Sequence, residues 1–275
     1  MKGKKNRKKT ENRKPIDKEQ RREQRKQYLF VIRELTSREI KRKYSRSYLG
    51  IVWSVLNPLL MMTVLSMIFT QIFDRAIENY PIYYLSGYIL WHMFTGATNA
   101  AMTTLIDNKN MLIKVRLPME IFVIARVYTA LVNLGYSLIA YIVMLIVFRI
   151  QIRVTVLLFP VIILFILMFS LGVSFVLSTA YVFFGDVKHL YSVILTLWMY
   201  CSAIFYPVDR LEGVIRTVIE FNPIYEYISA TRNVVMYGAM PSVTEILKML
   251  IWSVAMLGIG YWIFRRNKNK VMQKI

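Results

Sequence analysis

Aromatic side chains recur at helical spacing in two apolar stretches of the chain. Tyr84, Tyr88 and Trp91 follow an i, i+4, i+7 pattern, which places them on one face of a helix. Anchoring at a membrane interface and ordinary packing account for many such residues. Rings along a whole helix face also suit contact with carbohydrate, because the apolar faces of sugars stack on aromatic planes. The pattern predicts a path for sugar polymers along six residues: Tyr84, Tyr88, Trp91, Tyr191, Trp198 and Phe205.

Residues that would support catalysis or ion coupling do not form recognisable motifs. The sequence has no Gly-x-x-x-x-Gly-Lys-Ser/Thr loop to hold phosphates and no Gly-x-Ser-x-Gly nucleophile motif. His92 and His189 are isolated, and Cys201 is the single cysteine, so the sequence predicts neither a metal site nor a disulfide. No acidic residue lies deep in an apolar stretch, which disfavours a transporter driven by an ion gradient. We therefore expect a protein that is not an enzyme.

The elements that must position the aromatic residues are long apolar blocks, in a chain of 275 residues that is 56% hydrophobic. About 20 apolar residues are needed to cross the hydrocarbon layer, and an isolated span must be helical. The predicted fold class is an all-α integral membrane protein with six transmembrane helices. The predicted spans are 51–73, 82–103, 119–148, 156–184, 190–206 and 243–264.

The net charge of +20 is distributed asymmetrically about these spans. With six crossings, 28 of the 36 Lys and Arg residues fall on one side, and Arg126 and Lys248 lie within spans. Because Lys and Arg concentrate on the cytoplasmic side, both termini are predicted to be cytoplasmic. Arg126 is expected to extend towards the cytoplasmic end of its helix.

The N-terminal region divides into two parts. Residues 1–27 are predicted to form a basic cytoplasmic tail, disordered or loosely helical, that is attracted to anionic lipid headgroups. No aromatic residues are interleaved there to stack nucleic acid bases, so nucleic acid is not expected as a partner. Residues 28–275 are predicted to form one membrane domain, beginning with an amphipathic interface helix. Thr36 and Glu39 have capping-box spacing, which predicts that a second helical piece starts there.

Two connections carry unusual sequence. The 104–118 connection is predicted to hold a short helix capped by Asp107 or Asn108, and its apolar residues suggest a docking surface. In the 207–242 connection, Asn222-Pro223 separates two apolar segments that are too short to span. We interpret that stretch as an extracytoplasmic helical hairpin that dips into the outer leaflet.

Several short motifs, in order along the chain, resemble one family. They are similar to segments of the type 2 membrane subunits of ATP-binding-cassette transporters that export O-antigen, capsule or teichoic acid. The motifs are Arg38–Trp53, Leu56–Pro58, Ser86–Trp91, Asn110–Pro118, Phe183–Asp186 and Asn222–Tyr225.

This resemblance implies a homodimer in the bacterial cytoplasmic membrane, paired with two copies of a separate ATPase that binds ATP and Mg. The implied substrate is a lipid-linked polysaccharide or glycopolymer. The implied gate hairpin contains Asn222, Pro223 and Tyr225. The implied contacts to the ATPase are Asp107, Leu112, Ile113, Lys114, Arg116, Asp186 and Lys188.

Two other functions fit the same composition. A drug or small-molecule exporter of the same superfamily would use the aromatic faces to line a smaller pocket. A membrane scaffold without a transport role would need no ATPase partner.

Overall fold

The computed structural model describes residues 18–45, 49–72, 77, 79–114 and 117–275. Most of the predicted basic tail, residues 1–17, and Arg116 of the predicted ATPase contact lie outside these described residues. Helices dominate the described residues. They are α1 (Lys18–Tyr44), α2 (Val52–Ile72), α3 (Tyr80–Asp107), α4 (Lys109–Lys114), α5 (Glu120–Val147), α6 (Phe159–Phe183), α7 (Val187–Tyr200), α8 (Gly213–Glu220), α9 (Pro223–Arg232) and α10 (Val243–Lys274).

The prediction of an all-helical membrane protein is confirmed in its coarser form. Four helical stretches in the described part of the chain are long and apolar enough to cross a membrane. They are Val52–Phe69, Glu120–Val147, Val154–Phe183 and Val243–Lys274.

The remaining two predicted spans have different properties. The 82–103 span lies within α3, whose 28 residues extend about 42 Å but carry many Tyr, Ser, Thr and Asn side chains. The 190–206 span corresponds to α7, which has 14 residues and extends about 21 Å. The backbone after α7 is irregular, with a positive φ of 47° at Ala203 and an extended Pro207.

The first helix is continuous through the predicted capping box, so that prediction is wrong. Thr36 is buried, and its hydroxyl donates towards the Ala125 carbonyl at 3.4 Å instead of capping a helix. The same helix includes residues 18–27 of the predicted tail. A local spacing rule failed here because both side chains are used by contacts with α5.

The helices pack around two clusters of buried apolar side chains: a larger one follows α3 from Tyr80 to Met102, and a smaller one includes Ala101 and Leu105 near the end of α3. The larger one runs through α3, α5, α6 and α9 and reaches the residues that follow α7. The smaller one joins α1, α4, the start of α5 and the last turns of α6 and α10. We call the part of the molecule that carries α8 and α9, the two helices of the predicted hairpin, the hairpin end. The part that carries α4 is called the α4 end.

Helices α6 and α10 approach each other closely through two glycines. A Cβ atom added at Gly172 would lie 2.4 Å from the Met256 carbonyl oxygen, and one added at Gly260 would lie 2.1 Å from the Gly172 oxygen. Only residues without a side chain allow the two backbones to cross at this distance. This crossing fixes α10 against α6 from the hairpin end to the α4 end.

Candidate functional site

A buried polar network holds α1 against α3 and α5 at the α4 end. The guanidinium of Arg126 forms an ion pair with the carboxylate of Glu39, and both side chains are largely buried. Arg126 Nε also donates to Thr104 Oγ1 at 3.1 Å, and its guanidinium lies 3.8 Å from Asp107. Its partners Thr104 and Asp107 lie in the last turn of α3, and that Arg126 extends towards the cytoplasmic end of its helix stays a prediction. Its charge is compensated within the protein, which costs less than leaving a buried cation unpaired.

Asn108 connects this network to the short helix α4. Its side-chain amide donates to the Thr104 carbonyl at 2.8 Å, and its oxygen accepts from Arg38 at 2.8 Å. The predicted side-chain cap on α4 is therefore not formed by Asn108, whose side chain bonds to α3 and α1 instead. The Asn108 carbonyl accepts from the backbone amides of Met111 and Leu112, so α4 begins directly on this junction. A displacement of α4 would act on α1, α3 and α5 together.

Of the three apolar side chains of α4, Met111 and Leu112 pack against the protein and Ile113 faces outwards. Leu112 is buried in the cluster at the α4 end. Ile113 is 64% exposed, and the neighbouring Lys114 is also exposed. A role for this outward side chain in contact with an ATPase stays a prediction.

The second predicted contact segment is the turn between α6 and α7. Asp186 and Lys188 are exposed there. Asp186 precedes α7 without a side-chain cap, although its carbonyl accepts from the amides of His189 and Leu190. Phe183, three residues earlier, packs in the same cluster as Leu112. The two predicted contact segments therefore lie at the same end of the molecule.

The six predicted path residues come together around α3, but only half of them are accessible. Tyr84, Trp91 and Tyr191 are buried inside the chain. Tyr88, Trp198 and Phe205 remain partly exposed. Ordinary packing accounts for the buried members, and a role along a path stays a prediction for all six.

Direct ring contacts and one hydrogen bond explain this arrangement. The Tyr84 ring lies 5.4 Å from Tyr88 and 5.8 Å from Phe205, measured between centroids. Tyr191 donates its hydroxyl to Thr98 of α3 at 2.7 Å. Stacked and edge-on rings at these separations stabilise helix packing beyond the area they bury. The aromatic spacing therefore indicated a helix–helix interface as well as a shared face.

The predicted gate residue Asn222 is a four-way junction at the hairpin end. Its side-chain oxygen accepts from Trp198 Nε1 at 2.8 Å and from the backbone amide of Ile224 at 3.0 Å. Its amide nitrogen donates to the Cys201 carbonyl at 2.9 Å and to Ser202 Oγ at 3.0 Å. The side chain thus caps α9 and binds α9 to the end of α7.

The other two predicted gate residues adjoin this junction. Pro223 is the first residue of α9, where its missing amide hydrogen is not needed. Tyr225 packs beside Ala203, Val208 and Ile219, and burial raises the pKa of its phenol. The two short helices that were predicted on either side of Asn222-Pro223 are present as α8 and α9.

Arg232, the last residue of α9, is a buried arginine that the sequence motifs did not indicate. Arg232 donates to the carbonyls of Tyr83, Ala203 and Ile204 at 3.1 to 3.3 Å, and its guanidinium lies 3.4 Å from the centre of the Tyr83 ring. Burial lowers the pKa of Arg232, and the nearby tyrosines oppose that effect. The signal in the sequence was a charged residue within the largely apolar segment 224–237. The arginine binds the hairpin to α3 and to the turn after α7.

No group of three or more His, Cys, Asp or Glu side chains in the described part of the chain could hold a metal ion. Lys248, which lies within the last predicted span, forms an ion pair with Glu226 at 2.9 Å. This ion pair joins α10 to α9.

The described chain is an apolar helical bundle with four stretches long enough to cross a membrane, which is the architecture of an integral membrane protein. The chain belongs to the ABC-2 type transporter membrane family, whose model matches residues 31–236. It is similar to the O-antigen export system permease protein RfbA of Myxococcus xanthus, at 28% identity over 251 residues, covering 90% of this chain and 96% of that protein.

Two further relatives extend this similarity. RfbA of Klebsiella pneumoniae is 26% identical over 250 residues, covering 88% of this chain and 94% of that protein. The polysialic acid transport protein KpsM of Escherichia coli is 20% identical over 247 residues, covering 88% and 95%. The family resemblance predicted from the short motifs is confirmed.

Proposed function

We propose that this chain is the permease subunit of an ATP-driven exporter that moves a lipid-linked polysaccharide or glycopolymer across the cytoplasmic membrane. The observation that carries the proposal is the outward position of Ile113 on α4. Leu112 of the same helix is buried in the apolar cluster and holds α4 against the protein. A chain without a phosphate-binding loop needs an external source of energy, and this surface is suited to receive it. Relatives that are named as O-antigen export permeases and a polysialic acid transport protein support the glycan substrate.

In this proposal, a separate ATPase binds ATP and Mg and docks on α4 and on the turn at Asp186 and Lys188. Movement of α4 passes through Asn108 to Arg38 of α1, and through the Arg126 network to α5. Hydrogen bonds to charged groups in buried surroundings are short and directional, so they transmit displacement better than apolar contacts alone.

Two copies of the chain form the conduit in this proposal. One bundle buries Tyr84, Trp91 and Tyr191 in its own core, so a path must use surfaces that a single copy leaves open. The partly exposed Tyr88, Trp198 and Phe205 are the predicted path residues that remain available for substrate contact.

The six-span topology is also part of the proposal. Helix α3 and the stretch that begins with α7 complete the four apolar spans, and both termini face the cytoplasm, as the distribution of Lys and Arg favours. The hairpin of α8 and α9 enters the outer leaflet without crossing it. Cytoplasmic-leaflet lipid headgroups would attract the basic residues 1–27.

Reconstitution of the chain with its ATPase in lipid vesicles tests this proposal. We expect a lipid-linked glycan to stimulate ATP hydrolysis, while drug-like amphiphiles leave the basal rate unchanged. Stimulation by the amphiphiles alone would support the rival small-molecule exporter. Failure of the chain to assemble with any ATPase would support a scaffold.

A further inference from the structure

A groove of polar and aromatic residues separates the last turns of α1 from α2, α3 and α5. It consists of a cavity of about 450 Å³ between α1, α3 and α5 and a neighbouring cavity of about 260 Å³ beside α2. Lys43 and His92 line both cavities, so the two adjoin at these side chains. The combined volume is in the range typical of small-molecule sites in proteins.

The charge in this groove is positive and partly uncompensated. Glu39 is the carboxylate in its lining, and the guanidinium groups of Arg126 and Arg42 already pair with it. Lys43 has no carboxylate within ion-pair distance among the described residues, and its ammonium group lies over the Tyr44 ring at 5.1 Å. A free ammonium group in a recess attracts an anion, and lysine is a common phosphate ligand as a point charge.

The remaining lining offers hydrogen bonds and an aromatic face next to Lys43. The side chains of Asn57 and His92 form no hydrogen bond with any described residue. The Asn133 oxygen accepts from the Tyr44 hydroxyl, whereas its amide nitrogen donates to no described residue. The Trp53 ring is 46% exposed in the same groove. Free amide groups beside an exposed indole are the combination that binds sugar hydroxyls and the apolar face of a sugar ring.

The groove also opens towards a surface that suits a lipid chain. One turn beyond Asn57, the outward side chains of α2 are apolar and about half exposed, including Leu60, Met61 and Val64. A ligand whose head occupies the groove could therefore keep its hydrocarbon chain along α2. Free pyrophosphate has no hydrocarbon chain that could contact this surface.

We infer that this groove binds the sugar-phosphate head of a lipid-linked glycan, with Lys43 on the phosphate and Trp53, Asn57 and Asn133 around the first sugar. The inference rests on the proposed export function and assigns the place where the chain recognises its substrate. A phospholipid headgroup shares the phosphate but has no sugar ring to use the indole and the amides.

Binding to the complex with its ATPase, in nanodiscs of phosphatidylcholine, tests this assignment. The probe is a fluorescent polyprenyl pyrophosphate that carries one N-acetylhexosamine. We expect Lys43→Gln to raise its dissociation constant about tenfold or more, because a charge-assisted hydrogen bond is lost. Asn57→Ala should also raise the dissociation constant of the probe. Lys270→Gln, at an exposed position near the end of α10, is the matched control and should leave binding unchanged.

Competition arms identify the source of the phosphate. Phosphatidylglycerol and inorganic pyrophosphate should displace the probe only at concentrations far above its dissociation constant. Equal displacement by phosphatidylglycerol would show a general site for anionic lipids and would overturn the assignment. Equal losses in Lys43→Gln and Lys270→Gln would also overturn it.

Failure of this inference can be distinguished from failure of the proposed function. If the glycan lipid stimulates ATP hydrolysis in the wild-type complex while Lys43→Gln binds the probe normally, recognition lies elsewhere and the export function stands. If the wild-type complex neither binds the probe nor responds to longer lipid-linked glycans, both are wrong. Thermal unfolding of Lys43→Gln should match that of the wild type, because Lys43 is exposed.

Discussion

The side chain of Asn222 uses its full hydrogen-bonding capacity within 24 residues of sequence. Both of its amide hydrogens and both of its oxygen lone pairs have partners, which include the Trp198 indole and the start of α9. A residue that satisfies every donor and acceptor in a buried place defines one geometry for its neighbours. The hairpin is therefore positioned by one amide as well as by apolar packing.

Replacement of this amide should destabilise the hairpin end. In Asn222→Ala, the Trp198 indole loses its acceptor and α9 loses its cap, and we expect a loss of stability of about 1–3 kcal/mol. Thermal unfolding of the purified protein in detergent measures this as a lower melting temperature. Asn99→Ala, at an exposed position of α3, is the control and should melt like the wild type. An equal melting temperature for Asn222→Ala would contradict the junction role.

At the same scale, the sequence predicted some residues well and others poorly. Spacing alone placed Tyr84 and Tyr88 on one face of a helix, and their rings are in contact. It could not predict that Tyr84 is buried, because burial depends on Phe205 of a distant segment. Arg232 was missed for the same reason, since its partners lie 28 to 149 positions away.

Helix α4 illustrates how a short element can hold one side chain in an outward position. Six residues are too few to be stable alone, so the helix depends on Leu112 in the cluster behind it and on the Asn108 junction before it. With that support, Ile113 and Lys114 face outwards.

Adjacent substitutions on α4 should separate docking from stability. Ile113→Asp places a charge on the outward face, and we expect the ATPase to be lost from co-purification while the melting temperature of the isolated chain is unchanged. Lys114→Glu should weaken co-purification in the same direction. Leu112→Ala instead removes buried methyl groups and should lower stability by about 2–5 kcal/mol. ATPase recovery that is undiminished in Ile113→Asp would argue against docking on this helix.

The crossing of α6 and α10 depends on small residues at two positions. In Gly172→Ala, the added methyl group would overlap the backbone of α10, which must move away, at a cost of about 1–3 kcal/mol. Gly260→Ala should act in the same way. Gly258→Ala is the matched control on α10, because nothing lies within 4 Å of its added Cβ atom. Thermal unfolding should rank both crossing variants below the control, and a reversed order would mean that the helices are free to separate.

At the scale of elements, the hydropathy of the sequence predicted where the long helices occur better than where they end. Six apolar blocks correspond to six helices, yet α7 ends at Tyr200, well short of the predicted end at residue 206. Asn222 binds the backbone just after that point, and the chain then turns at Ala203. Hydropathy carries no information about a side chain 21 residues away that ends a helix.

The whole molecule places two kinds of surface at opposite ends of one helical bundle. The polar network of Glu39, Arg126 and Asn108 lies beside α4, and the Asn222 and Arg232 junctions lie at the two ends of α9. The closely packed α6 and α10 connect these ends. Composition and motif order predicted this division of the chain, whereas the networks that join the helices became visible only in three dimensions.

A single bundle also leaves apolar surface that a partner copy could cover. Val193 and Leu197 of α7 and Met67 of α2 are each 60% exposed or more. Because Tyr84, Trp91 and Tyr191 are buried within one copy and leave no path through it, we expect two permease chains in every export-competent complex. Co-expression of two differently tagged versions should allow one tag to recover the other, whereas versions purified separately and then mixed should not exchange. Native mass spectrometry of the complex should give two permease chains with two ATPases, and an active complex with one permease chain would refute the dimeric conduit.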